Sequence, residues 1–291
     1  MSPVHWAPLA CAIIYTLAAL ALQAASMRGL GPWRITFVSN LVMGLLFLPL
    51  LALGGRFADG WHPAQPALTG LLFFGGQICT FLALHRGDAS VATPVLGSKV
   101  LFVTLFTAAL GVQEIPGRWW SGAALCTAAL VLLGMAPPRH RERTVAAAGF
   151  ALAAAAFFAL TDVLVQRWVP LWGPGRFIPA MFGTVALLSP ILIPRFRGPL
   201  RTAGIPGAAW LALGSVLLAA QALGMALTLG LFGSAPLVNI LYSTRGIWTI
   251  LVIVVAGAWF GNQEHRLGGR LLGIRALGAL LLLAAVAVAI G

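Results

Sequence analysis

Gly31-Pro32-Trp33-Arg34 returns 142 positions later as Gly173-Pro174-Gly175-Arg176. The two stretches stand at the heads of two apolar runs, 34–54 and 176–194, at equivalent places in two copies of one unit. Landmarks on either side keep the same order. Before these stretches, Tyr15 is matched by Phe158 and Gln23 by Gln166, both at an offset of 143. After them come Arg56-Phe57 with Arg195-Phe196 (139), Gln77 with Gln221 (144), Pro94 with Pro236 (142) and Gln113-Glu114 with Gln263-Glu264 (150). Small insertions and deletions account for the drift, and an ordered series of this kind is a duplication.

Between the landmarks the chain is apolar. Of its 291 residues 60% are hydrophobic and 8% charged, with a mean hydropathy of +0.97. A soluble domain carries about a quarter charged residues, so lipid must replace water over most of this surface. Ten apolar runs are visible, at 5–26, 34–54, 66–86, 89–112, 118–136, 145–168, 176–194, 207–230, 234–260 and 271–290. Each is near the roughly 20 residues of one membrane crossing. Breaks such as Gly54-Gly55-Arg56 and Pro137-Pro138-Arg139 separate them. The 34 glycines and 18 prolines are compatible with helices in lipid, where neighbours re-satisfy freed backbone groups and small residues allow close contact. No short alternating segments of a membrane barrel are present.

The expected fold is an all-α integral membrane protein of ten transmembrane helices in two inverted five-helix repeats. The first repeat is placed at 1–136, a linker at 137–144 and the second repeat at 145–291. Five helices per copy is an odd number, so the second copy enters the membrane from the opposite side. Such folds place substrate near the bilayer midplane, between the halves.

The net charge of +12 would point to nucleic acid if it lay in one stripe, but most arginines sit in short gaps between apolar runs. Membrane lipids and a small-molecule substrate are the expected partners, and nucleic acid is not. Twelve arginines fall in loops joining odd helices to the next even one and four on the other side, which places both termini outside. Seventeen arginines against one lysine hint at a GC-rich bacterial genome and so at a bacterial inner membrane. The start of the chain lacks a basic region and a small-residue cleavage site, so the first run is expected to be a retained helix. Cys11, Cys79 and Cys126 lie in apolar runs, and His5, His62, His85, His140 and His265 are scattered without ligand spacing. No nucleophile elbow, phosphate loop or zinc motif appears, so no enzyme, cofactor or metal is expected.

The layout resembles the drug/metabolite transporter superfamily, and within it the EamA-like branch. The likeness is carried by the helix start at Arg34 and by the stretch from Ala83 to Pro94 that contains Ala89-Ser90. It continues in the segment LGVQEIPGRWWSGAALCTAALVLLG around Glu114, echoed by FGNQEHRLGGRLLGIRALGALLLL around Glu264. The resemblance implies an exporter or exchanger of amino acids, metabolites, nucleotide-linked sugars or drugs. It names no single substrate, and it implies termini inside, against the arginine count.

Lys99 and Arg245 fall halfway through the fourth and ninth runs, as Ser98-Lys99 and Thr244-Arg245, at an offset of 146. A charge at the bilayer centre costs at least about 2.5–3.5 kcal/mol, so it faces a cavity or a partner. Two cations at the midplane would attract an anion, Arg245 with a planar fork and Lys99 as a point charge. Alternatively each pairs with an acid or with carbonyls and only locks the bundle. Asp162 in the sixth run is a counter-ion, a proton-coupling carboxylate or a brace, with Gln166 one turn later on the same face. Asn239, Tyr242 and Arg245 are three apart and share a face with Trp248, and Tyr15 adds an aromatic wall. Gln77 and Gln221 complete the candidate substrate contacts, although interhelical hydrogen bonding is the usual role of such groups, as for Asn40. Glu114 and Glu264 beside Arg118 and Arg266 read as ion pairs or caps, and Asp88 beside Arg86 as a turn residue. Trp6, Trp61, Trp119, Trp120 and Trp168 read as an interfacial belt. The expected function is secondary transport of a small anionic or zwitterionic metabolite, amino acids first and phosphorylated or nucleotide-linked solutes second. A lipid flippase and a non-transporting assembly partner are the remaining alternatives.

Overall fold

The computed structural model describes residues 2–55, 57–86, 89–134, 144–196, 204–256 and 269–291. The expected linker, apart from Thr144, lies outside the described residues. So do Arg56, Asp88, His140, Glu264, His265 and Arg266, and the side chains of His85, Arg86 and Arg270 are likewise not described.

Among the described residues the chain is helix and turn without a strand. The helices are α1 (Pro3–Met27), α2 (Pro32–Leu46), α3 (Ala64–Arg86), α4 (Ala89–Leu96), α5 (Lys99–Ala109) and α6 (Gly117–Gly134). They continue with α7 (Thr144–Trp172), α8 (Pro174–Leu188), α9 (Gly204–Phe232), α10 (Ala235–Tyr242), α11 (Arg245–Ala256) and α12 (Gly269–Ile290). Tighter 3-10 turns extend α2 through Leu48–Leu53 and α8 through Ser189–Arg195. Among the described residues eight helical stretches are long and apolar enough to cross a membrane. The two sequence runs not among them are α6, with Arg118 in its first turn, and the α10–α11 pair of eight and twelve residues.

Pro32 and Pro174 open α2 and α8, two residues before the apolar runs at 34 and 176, since proline suits a first helical turn. Gly173 has φ +75°, a left-handed backbone that strains other residues, whereas Gly31 at −67° is ordinary. Where the first copy has Trp33 the second has Gly175, and the reason is contact. A Cβ at Gly175 would lie 2.4 Å from the Gly54 carbonyl oxygen and 2.6 Å from that of Leu50. Backbone cannot swing aside as a side chain can, so Gly175→Ala is expected to destabilise the protein by about 1–3 kcal/mol. Thermal unfolding in detergent checks this; an unchanged midpoint would show that the α2 end and α8 are not pressed together.

Two of the ten apolar runs are broken. The fourth is α4 and α5 meeting at Gly97-Ser98, and the ninth is α10 and α11 meeting at Ser243-Thr244. Each break frees carbonyls in the bundle interior, where they need donors. Ser98 Oγ donates to the Val95 carbonyl at 2.7 Å, and Thr244 Oγ1 to that of Leu241 at 2.7 Å. The two bonds are related by the same offset of 146 that relates Lys99 to Arg245, which begin α5 and α11.

Packing follows small residues and aromatic contacts. α1 lies on α9 and α3 on α7; α6 lies on α12, and α2 on α8. Exchanging the first five sequence runs for the second five turns the first contact into the second and returns each of the last two to itself. α2 and α8 run antiparallel, since Phe37 meets Phe196, Asn40 meets Ser189 and Phe47 meets Phe182. The central core gathers Met43, Phe47, Phe177, Met181, Phe182 and Tyr242. A second cluster joins Trp119, Cys126, Leu237, Leu241 and Leu282. Trp6, Trp61 and Trp120 are exposed, but Trp119 is buried and donates to the Ala289 carbonyl at 3.2 Å, tying α6 to α12.

Candidate functional site

Because the ninth run breaks after Tyr242, Arg245 starts a new helix inside the bundle and reaches back over α10 and α1. Its guanidinium carbon lies 4.7 Å from the centroid of the Tyr15 ring and 4.8 Å from that of Tyr242. Nη1 donates to the Tyr242 hydroxyl at 3.3 Å, and the two rings meet edge to face with centroids 5.9 Å apart. The backbone is fixed as well. Thr249 Oγ1 donates to the Arg245 carbonyl at 2.8 Å, and Thr16 of α1 reaches the same oxygen at 3.4 Å. Among the described residues no carboxylate pairs with Arg245.

Aromatic faces hold a cation by their quadrupole, at about 0.5–2 kcal/mol each, without cancelling its charge. Arg245 keeps accessible surface, whereas Tyr242, Thr244 and Thr16 around it are buried. Ala19, one turn after Tyr15 on the same side of α1, is also exposed. The guanidinium is thus a positioned cation with open N–H groups, suited to the fork geometry of a carboxylate.

Lys99 is in a different state. Its Nζ lies 2.7 Å from Asp162 Oδ2, joining the start of α5 to α7, with the two side chains 19% and 16% exposed. Asp162 therefore stands as the counter-ion of Lys99, and of the two cations one is neutralised and the other has no carboxylate among the described residues. The remaining candidates are distributed. Gln77 and Asn40 close a reciprocal amide pair at 3.0 and 2.9 Å, and Asn40 also donates to Ser189 Oγ at 2.9 Å. Asn239 is 1% exposed and donates to the Ala235 carbonyl of its own helix. Trp248 packs on the central core. Gln221 is 8% exposed and makes no hydrogen bond to a described residue. Glu114 is exposed and forms no ion pair with a described residue.

Gln166 accepts from the Ala235 backbone N–H at 2.7 Å and donates to Gln113 Oε1 at 2.6 Å; that oxygen also accepts the Ser234 N–H at 3.0 Å. Two glutamines thus cap α10, because Ser234 sits in the left-handed region at φ +59° and its own side chain does not cap. Gln113 had appeared in the sequence only as a repeat landmark; its doubling with Gln263 was the available signal. A cavity of about 330 Å³ opens beside this cap, lined by Gln166, Arg167, Pro170, Gly111 and Leu229.

Both ends of the α2–α8 pair carry an arginine on a ring. Arg34, at the start of α2, lies 5.1 Å from the Phe196 ring beyond the end of α8. Arg176, at the start of α8, lies 4.4 Å from the Phe57 ring beyond the end of α2. Arg34 matches Arg176 and Phe57 matches Phe196 in the duplication, so one contact is made twice, each time between the copies.

Residues 2–135 match the model of the EamA-like transporter family. No curated protein matches the sequence significantly. A protein of known crystal structure aligns over 98% of this chain and 96% of its own, with a TM-score of 0.75 and 20% identity, a likeness of fold. With its apolar helices the chain is a multi-pass membrane protein whose first half, residues 2–135, is similar to the EamA-like transporter family.

Proposed function

We propose that the chain is a secondary transporter that moves a small carboxylate-bearing metabolite, an amino acid first, by alternating access as an exporter or exchanger. The observation that carries this reading is Arg245, held between Tyr15 and Tyr242 with no carboxylate partner among the described residues. A phosphate dianion would be better served by two free cations, and Asp162 already occupies Lys99. That neutralisation favours carboxylates over phosphorylated or nucleotide-linked solutes. We place the repeats at 1–136 and 145–291, supported by the exchange symmetry of the helix contacts and by the two equivalent breaks. A bacterial inner membrane with both termini outside is our reading of the arginine distribution.

Thermal unfolding of the purified protein across amino acids, sugar phosphates and nucleotides tests the substrate class, since a ligand of the folded state raises its stability by RT ln(1 + [L]/Kd). An upward shift with amino acids supports the proposal. A shift with phosphorylated solutes alone overturns it.

Alternating access requires the two membrane faces to open in turn, and we read the Arg34–Phe196 and Arg176–Phe57 contacts as one latch for each face. Losing a contact of about 0.5–2 kcal/mol shifts a two-state equilibrium roughly twofold to thirtyfold. In a background without Cys11, Cys79 and Cys126, Phe57→Ala is expected to raise labelling of Ala19→Cys by an impermeant maleimide from the face carrying Phe57. Phe196→Ala is expected to raise it from the opposite face. Equal labelling from both sides in the two variants would remove the latch role.

A further inference from the structure

We infer that the polar contacts to the ligand come from the second repeat, with Gln221 as a second polar contact beside Arg245, and that a ligand carboxylate fills the place on Arg245 that Asp162 holds on Lys99. This rests on the carboxylate reading of Arg245 proposed above.

The duplication makes the comparison residue by residue. Gln77 corresponds to Gln221 and Lys99 to Arg245. In the first copy both are satisfied within the protein, Gln77 by Asn40 and Lys99 by Asp162. In the second copy neither is. Gln221 is 8% exposed without a hydrogen bond to a described residue, and Arg245 has no described carboxylate. The Gln221 amide atoms are not among the fully buried unpartnered atoms of the described residues, so they keep accessible surface that a ligand can reach.

The sequence encodes the difference. At the offset of 142 that joins Pro32 to Pro174, Asn40 corresponds to Phe182, so no amide waits for Gln221. At the offset of 143 that joins Tyr15 to Phe158, Asp162 corresponds to Ala19. Ala19 lies one turn from Tyr15, whose ring carries Arg245, and it is exposed. The carboxylate that the fold would place there is missing, and the space is open.

Gln221 reaches the same level. α1 and α9 run antiparallel, with Gly214 against Leu22 and Gly224 against Cys11. Gln221 is two turns beyond Gly214 on the same face, which sets it opposite residues 14–15 of α1, beside Tyr15. The site thus offers a guanidinium to a carboxylate and an amide, both donor and acceptor, to an amino or hydroxyl group next to it.

The experiment uses the full-length protein in detergent and begins without ligand. Gln77→Leu is expected to lower the thermal midpoint, because Asn40 loses its partner. Gln221→Leu is expected not to lower it, and Ala19→Asp to raise it by supplying the missing counter-ion. Single L-amino acids, acetate and inorganic phosphate are then added. Wild type is expected to be stabilised by at least one amino acid, and Gln221→Leu and Ala19→Asp to lose that stabilisation. If Gln221→Leu lowers the ligand-free midpoint as Gln77→Leu does, or binds the amino acid as wild type does, the assignment to the second repeat is overturned. If Ala19→Asp does not fold, the two glutamine variants still decide. If phosphate stabilises wild type and neither amino acids nor acetate do, the carboxylate reading fails while the ligand-free comparison stands.

Discussion

Arg245→Ala is expected to abolish stabilisation by amino acids while the ligand-free protein stays folded. Opposing terms meet at this one side chain. Removal loses two contacts with aromatic faces and one 3.3 Å hydrogen bond to Tyr242. It also removes a charge from the bundle interior, where holding one costs at least about 2.5–3.5 kcal/mol. These terms oppose one another, so the ligand-free midpoint should move little. The ligand has no such compensation. Two charge-assisted hydrogen bonds to a carboxylate are worth roughly 1.5–3 kcal/mol each, and their loss weakens binding by more than about a hundredfold. Arg245→Lys keeps the charge but loses the planar fork, and it should fall between the two. Titration of each variant by thermal shift checks the order. A stable Arg245→Ala protein with unchanged affinity would return Arg245 to a packing role.

The membrane fold was legible because two of its signals are long. Apolar runs of about 20 residues and a duplication across five of them survive local irregularity. The helices begin at Pro32 and Pro174, two residues before the apolar runs at 34 and 176, because proline fits a first turn that hydropathy alone does not mark. The breaks were not legible. Gly97-Ser98 and Ser243-Thr244 sit inside unbroken apolar runs, and only the hydroxyl bonds back to Val95 and Leu241 show how the interruptions are satisfied. The broken ninth run also explains why the expected ten crossings are not all met as single long apolar helices. The candidate residues were identifiable singly, as charges and amides where hydrocarbon should be. Their roles depended on neighbours distant in the chain, Asn40 for Gln77 and Asp162 for Lys99. Sequence separation hides such pairs, and the three-residue spacing of Asn239, Tyr242 and Arg245 misled in part, because the helix ends between the last two.

Asp162→Asn is expected to produce a large loss of stability. The variant leaves the Lys99 ammonium inside the bundle without the carboxylate now 2.7 Å away. Removing one partner of a buried ion pair costs roughly 3–5 kcal/mol, and the 19% and 16% exposure of the two side chains places this pair at the low end, about 3 kcal/mol. Lys99→Met should cost a similar amount by stranding the carboxylate. The double variant Lys99→Met with Asp162→Leu removes both charges and should recover most of the loss, because a buried pair replaced by apolar groups is often neutral. That recovery separates the two roles still open to Asp162. If the pair only ties α5 to α7, the recovered double variant transports with its affinity and its response to a proton gradient intact. If Asp162 couples transport to protons, the double variant is equally stable and binds ligand, but a pH gradient no longer drives uptake into proteoliposomes. Strong non-additivity of the single variants with retained gradient response would fix Lys99–Asp162 as the scaffold against which the uncompensated Arg245 works.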